Sequence, residues 1–87
     1  MDYEYINNEE YGLTVDEVNK VIQETDWDSF TEWYKNHQFP EGLQCVALHG
    51  FPSMNDYVIH LLEEQQMDTS NKELRLKMAL LIDSMIH

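Results

Sequence analysis

The stretch SNKELRLKMALLIDSMI, residues 70 to 86, has the clearest structural pattern in the chain. Its apolar residues recur at the spacing that places side chains on one face of an α-helix, and they are Leu74, Met78, Leu81, Ile82 and Met85. Leu76 and Leu80 fall outside that face, so the helix must be covered from more than one side. We therefore predict that it is the central helix of a bundle. Ser70 and Glu73 have the spacing of a capping box, which predicts Ser70 as the N-cap.

The preceding segment predicts a helix that begins at Ser53, with Asp56 at the capping-box position, and runs to about Gln66. Its inward residues are expected to be Met54, Val58, Leu61 and Leu62. Residues 43 to 50, LQCVALHG, are ambiguous by periodicity alone, because they fit both a short helix and a strand. We favour a short buried helix that ends at Gly50, since the sequence offers no second clear strand for an isolated strand to pair with.

Two further helices are predicted nearer the start of the chain. Thr14 and Glu17 have capping-box spacing and open a helix that ends at about Glu24. Its inward stripe is expected to be Val15, Val18 and Ile22. The next helix is predicted from about Asp26 to His37, with Thr25 or Asp26 as its N-cap and an inward aromatic face made of Trp27, Phe30 and Tyr34.

Residues 1 to 12, MDYEYINNEEYG, alternate acidic residues with tyrosines and have no helical period. We predict an extended or loosely attached arm, with a short edge strand from Tyr3 to Ile6 as an alternative. Acidic and aromatic side chains together suit a basic cleft, whereas the other interpretation is a solvated tail whose rings fold back on the core. The predicted fold is all-α: a small bundle of about four to five helices in one domain, residues 13 to 87, after an acidic, Tyr-bearing N-terminal arm.

The net charge limits the classes of partner. The chain contains 17 acidic and 5 basic residues, which give a net charge of −12. Residues 1 to 32 contain ten acids and one base, whereas residues 67 to 87 contain three of each. A field of this sign repels nucleic acid and anionic membranes and favours partners with basic surfaces. The one basic cluster, Lys72, Arg75 and Lys77, is expected to form internal salt bridges with the acidic part of the chain.

The sequence contains no motif that indicates catalysis or a cofactor. It has no Gly-rich phosphate loop, nucleophile elbow or Cys–His metal pattern, so we do not expect an enzyme. Asp56, His60 and Glu63 or Glu64 share one helical face, but one helix supplies too few ligands, and no metal site is predicted. Cys45 has apolar neighbours, which predicts a buried, inert thiol. The chain has no long apolar run or leader-like segment, so a cytoplasmic protein is expected.

Two functions are consistent with these features. The first is a non-enzymatic acidic inhibitor that docks on a basic surface of a nucleic-acid-handling protein, as a DNA mimic of phage anti-defence type or a nuclease-immunity protein would. The second is a small regulatory or assembly adaptor that binds a protein through apolar and tyrosine contacts, with the acidity serving solubility. A homodimer is also considered, and an exposed Leu76 or Leu80 would indicate its contact surface.

The residues expected to contact a partner combine acids with aromatic rings. Trp33 is predicted either to widen the aromatic face of its helix or to form an interface anchor beside two acids. The complete predicted set is Glu4, Tyr5, Glu9, Glu10, Tyr11, Asp26, Asp28, Glu32 and Trp33.

Overall fold

A computed structural model describes residues 7 to 41 and 50 to 86. These residues form one short 3₁₀ helix (Asn8–Tyr11) and four α-helices: α1 (Val15–Glu24), α2 (Trp27–Asn36), α3 (Met54–Glu64) and α4 (Lys72–Ile86). No strand occurs in these two ranges, so the all-α prediction is confirmed for them. The radius of gyration is 12.0 Å, and about 12 Å is expected for a compact domain of this length.

Helix α4 lies at the centre of the fold and contacts α3, α1 and the 3₁₀ helix. From Leu76 to Asp83 every residue except Lys77 is buried, so α4 is covered on nearly all sides, as the sequence pattern predicted. Leu76 and Leu80 are each 0% exposed. The predicted sign of a homodimer contact, an exposed leucine at either position, is therefore absent.

The predicted starts of the first three α-helices are confirmed. Thr14 and Glu17 form a reciprocal capping box on α1. Asp26 is the N-cap of α2 and accepts a hydrogen bond from the backbone N–H of Ser29. Ser53 is the N-cap of α3, and its hydroxyl oxygen accepts a hydrogen bond from the backbone N–H of Asp56. These side chains satisfy first-turn N–H groups that have no partner within the helix.

The predicted cap of α4 is wrong. Asn71 precedes the helix, and its Oδ1 accepts a hydrogen bond from the backbone N–H of Leu74 at 3.1 Å. The Ser70 hydroxyl instead donates to the Asp68 carboxylate at 2.8 Å, and its backbone N–H donates to the same carboxylate at 2.9 Å. Ser70 thus belongs to the turn before the helix, and this moves the start of α4 by one residue.

The inward stripe of α1 also differs from the prediction. Val21 is buried, Val18 and Ile22 pack beside it against the core, and Val15 is 62% exposed. At about 100° per residue, Val15 lies roughly 120° around the helix from Val21, which places it away from the face that contacts α4. The predicted aromatic face of α2 is present, with Tyr34 fully buried and Trp27 and Phe30 packed against the core.

Part of the predicted arm packs as part of the helical domain. Asn8 to Tyr11 form the 3₁₀ helix, and Tyr11 is 1% exposed within the core. The Asn55 side chain of α3 donates to the Glu10 carbonyl at 3.4 Å. Gly12 closes the 3₁₀ helix in the left-handed region, at φ 70°. The predicted extended arm and the short helix or strand at 43 to 50 otherwise lie outside the described residues, at positions 1 to 6 and 42 to 49.

Candidate functional site

In the described part of the chain, the basic residues of α4 form no direct ion pairs with the acidic residues. Lys72 Nζ lies 3.5 Å from the Gly12 carbonyl oxygen, and Arg75 Nη1 donates to Asn55 Oδ1 at 2.9 Å. Both cations therefore meet neutral acceptors. They fasten the start of α4 to the 3₁₀ helix and to α3.

Lys77 is also directed to a neutral group, because its Nζ lies 5.9 Å from the centre of the Phe30 ring in a cation–π contact. Among the residues at 7 to 41 and 50 to 86, His60 Nε2 lies 2.9 Å from Glu64 Oε1, a contact that is an ion pair only when the imidazole is protonated. In this part of the chain the predicted salt bridges from Lys72, Arg75 and Lys77 to carboxylates are thus absent. Within the described residues, these three cations therefore leave the excess negative charge without direct compensation.

Some of the acidic residues have structural roles at helix starts. Hydrogen bonds from the backbone and side chain of Thr14 lower the pKa of Glu17, and bonds from Ser29 lower the pKa of Asp26 in the same way. Asp26 is one of the residues predicted to contact a partner. Its role as the N-cap of α2 now accounts for its presence.

Nine other carboxylates are exposed and make no hydrogen bond or ion pair with the described chain; we name them the unpaired acids. They are Glu9, Glu10, Asp16, Glu24, Asp28, Glu32, Glu41, Glu63 and Glu73. Four of the nine predicted contact residues belong to this set: Glu9, Glu10, Asp28 and Glu32. The unpaired acids are the charges that remain available to a partner.

The predicted contact residues are divided between two elements. Asp28 and Glu32 are one turn apart on the exposed face of α2. Glu9 and Glu10 lie on the 3₁₀ helix, which packs against α4. The two pairs therefore belong to separate elements of the fold. Glu4 and Tyr5, which were also predicted, lie outside the described residues.

Trp33 lies on a different side of α2 from Asp28, because five residues of helix turn it about 140° away. Its half-buried ring stacks on Phe30 with centroids 5.3 Å apart and lies 4.4 Å from the His37 ring. It also lies 5.8 Å from Phe39, which is buried. Trp33 therefore widens the aromatic face of α2, and because its ring is only half-buried, its role as an interface anchor stays a prediction.

Tyr11 does not offer its ring to a partner. The side chain is buried beside Arg75 and Glu10, and its hydroxyl makes no hydrogen bond within the described chain. Burial raises the pKa of Tyr11 far above its usual value of 10.0, and the neighbouring Glu10 charge raises it further. The sequence could not separate this buried tyrosine from an exposed one, since both occur beside acids.

The structure also contains a groove that the sequence analysis missed. Helices α1 and α4 form its two sides, and its volume is about 290 Å³. Three carboxylates and two ammonium groups line it, together with Val21 and Thr25: the charged residues are Glu17, Lys20, Glu24, Glu73 and Lys77. The spacing of Glu17, Lys20 and Glu24 indicates that they share one face of α1, but their juxtaposition with α4 depends on tertiary packing.

No group of three or more His, Cys, Asp or Glu residues in the described ranges is arranged to hold a metal ion. None of the described helices is long and apolar enough to cross a membrane.

No protein family, curated protein or solved structure was found to match the chain.

Proposed function

We propose that this protein is a non-enzymatic binding protein that docks on a basic surface of another protein. The observation that supports the proposal most strongly is the lack of direct charge compensation at the cations of α4 among residues 7 to 41 and 50 to 86. The cations of α4 contact a carbonyl, an amide and an aromatic ring, so the unpaired acids keep their charge for a partner. Such a field accelerates encounter with a basic surface and repels acidic competitors.

The proposed partner is a nucleic-acid-handling protein, such as a nuclease. Its basic cleft is built for phosphates, and duplex DNA has one charge per about 1.7 Å of helix axis. Asp28 and Glu32, one turn apart on α2, have Cβ atoms about 5–6 Å apart and so present two carboxylates along one face. On this proposal the protein is a cytoplasmic, DNA-mimic-like inhibitor of the phage anti-defence or nuclease-immunity type.

The second candidate is a small regulatory or assembly adaptor with an apolar contact surface. Trp27, Phe30 and Trp33 are only partly buried, and this observation favours aromatic contact with a partner. The burial of Tyr11 weakens the tyrosine part of this candidate. In this case the acidity contributes solubility and not recognition.

Charge-reversal variants distinguish the two candidate functions, provided that they do not change acidic residues that cap helices. Asp28→Lys with Glu32→Lys changes the exposed face of α2 and leaves the Asp26 cap in place. A control variant, Glu41→Lys with Glu63→Lys, changes the net charge equally at other exposed positions. Circular dichroism establishes that both variants are folded.

The measurement is capture of protein partners on the immobilised chain at low salt and at about 0.5 M salt, where exposed charges are largely screened. The inhibitor proposal predicts a basic nucleic-acid-binding partner that the α2 variant and high salt both release. A partner retained at high salt by the α2 variant, and lost on Trp33→Ala, would favour the adaptor.

A further inference from the structure

The groove between α1 and α4 is lined mainly by charged side chains and includes one apolar side chain, Val21. Val21 is 7% exposed, and the Thr25 hydroxyl donates a hydrogen bond to the Val21 carbonyl oxygen at 2.6 Å. That bond uses the hydroxyl proton and leaves the oxygen as an acceptor. The groove therefore offers one apolar side chain to an aliphatic stem and acceptors to a polar end group.

The rim has acceptors that the fold does not use. Glu24 from α1 and Glu73 from α4 are both unpaired acids, whereas Glu17 is held by the Thr14 capping box. The Lys77 ammonium on the α4 side lies over the Phe30 ring. Two carboxylates from different helices are thus available at one groove.

The net charge of the groove lining favours a ligand with one positive charge. Three carboxylates and the two ammonium groups of Lys20 and Lys77 sum to −1, and a single cationic side chain would neutralise it. A planar guanidinium can hydrogen-bond carboxylates from more than one direction, and its aliphatic stem can lie on apolar surface.

We propose that this groove receives one arginine side chain from the basic surface of the partner protein. The guanidinium binds Glu24 and Glu73, and the stem packs against Val21. This inference rests on the proposed function, because the arginine belongs to the basic surface of the proposed partner. The groove would be the most specific contact between the two proteins.

The test uses a short arginine-only peptide and a short lysine-only peptide as probes of the ¹⁵N-labelled full chain. The arginine peptide is expected to shift the amide resonances of residues 17 to 25 and 73 to 77 most. The lysine peptide is expected to bind more weakly at the same place, because an ammonium lacks the planar arrangement of donors.

Two double variants of equal net charge identify the groove. Glu24→Gln with Glu73→Gln removes both rim carboxylates, and Glu9→Gln with Glu63→Gln removes two unpaired acids elsewhere. The groove variant is expected to bind the arginine peptide on the order of tenfold more weakly than the control variant, at equal ionic strength.

Equal weakening by the two variants, or shifts spread over all acidic segments, would overturn the groove inference and leave the proposed function standing. If the unmodified chain binds neither peptide at low salt, both the groove inference and the proposed function are wrong.

Discussion

Replacing Tyr11 by phenylalanine is expected to stabilise the fold, although the change removes a polar group from a natural side chain. The Tyr11 ring fills a core position at 1% exposure, and phenylalanine retains that ring. The hydroxyl has no hydrogen-bond partner within the described chain, and leaving such a group buried costs about 1–3 kcal/mol. We expect the variant to raise the free energy of unfolding by about 1 kcal/mol, at the lower end of that range.

Thermal unfolding followed by circular dichroism measures this effect, and about 1 kcal/mol corresponds to a rise in Tm of roughly 4–8 °C for a domain of this size. Tyr34→Phe is the matched control, because the fully buried Tyr34 hydroxyl donates to the Pro40 carbonyl oxygen. Removing that hydrogen bond is expected to lower stability by about 1 kcal/mol. If Tyr11→Phe destabilises the protein as much as Tyr34→Phe does, the Tyr11 hydroxyl has a partner and the reasoning is refuted.

Three other measurements test the fold. Asn71→Ala is expected to cost about 1 kcal/mol in urea unfolding, with Ser70→Ala costing less; the reverse order would restore Ser70 as the cap of α4. Val21→Ala is expected to cost about 2 kcal/mol, whereas Val15→Ala stays within about 0.5 kcal/mol, and equal losses would contradict the observed orientation of α1. The fold lowers the pKa of Glu17, so the ionised carboxylate stabilises the protein above the unfolded-state pKa of 4.5, and this stabilisation is lost as the pH falls. Glu17→Gln should therefore make the free energy of unfolding less dependent on pH in acid. An unchanged acid-unfolding transition would count against the capping box.

Much of the fold could be predicted because its signals are local. The caps of α1, α2 and α3 depend on a side chain three residues from its partner, and such spacing is visible in sequence. Helix α4 was recognisable as central because its apolar residues surround the axis. Its cap was missed because Ser70 and Asn71 are both good N-cap residues. The competing hydrogen bonds from Ser70 to Asp68 decide between them.

The candidate site was less predictable because its properties depend on which elements meet. Tyr11 is close in sequence to exposed acids, yet contact of the 3₁₀ helix with α4 makes it part of the core. Lys77 was expected to form a salt bridge with a carboxylate, but the packing of α2 places the Phe30 ring beside its ammonium group. The groove likewise exists only where α1 packs beside α4. Tertiary neighbours of this kind leave no fixed spacing in sequence.

Lys72, Arg75 and Lys77 contact neutral groups, and this determines how the stability of the protein depends on salt concentration. Repulsion among its like charges opposes folding, and few direct ion pairs in the described chain would be lost when salt is added. Added salt should therefore stabilise the folded chain while it weakens the attraction to the proposed basic partner. A bound basic protein would relieve the same repulsion and act as a macromolecular counterion. The protein would then be most resistant to unfolding either in concentrated salt or in its complex, and least resistant when alone in dilute buffer.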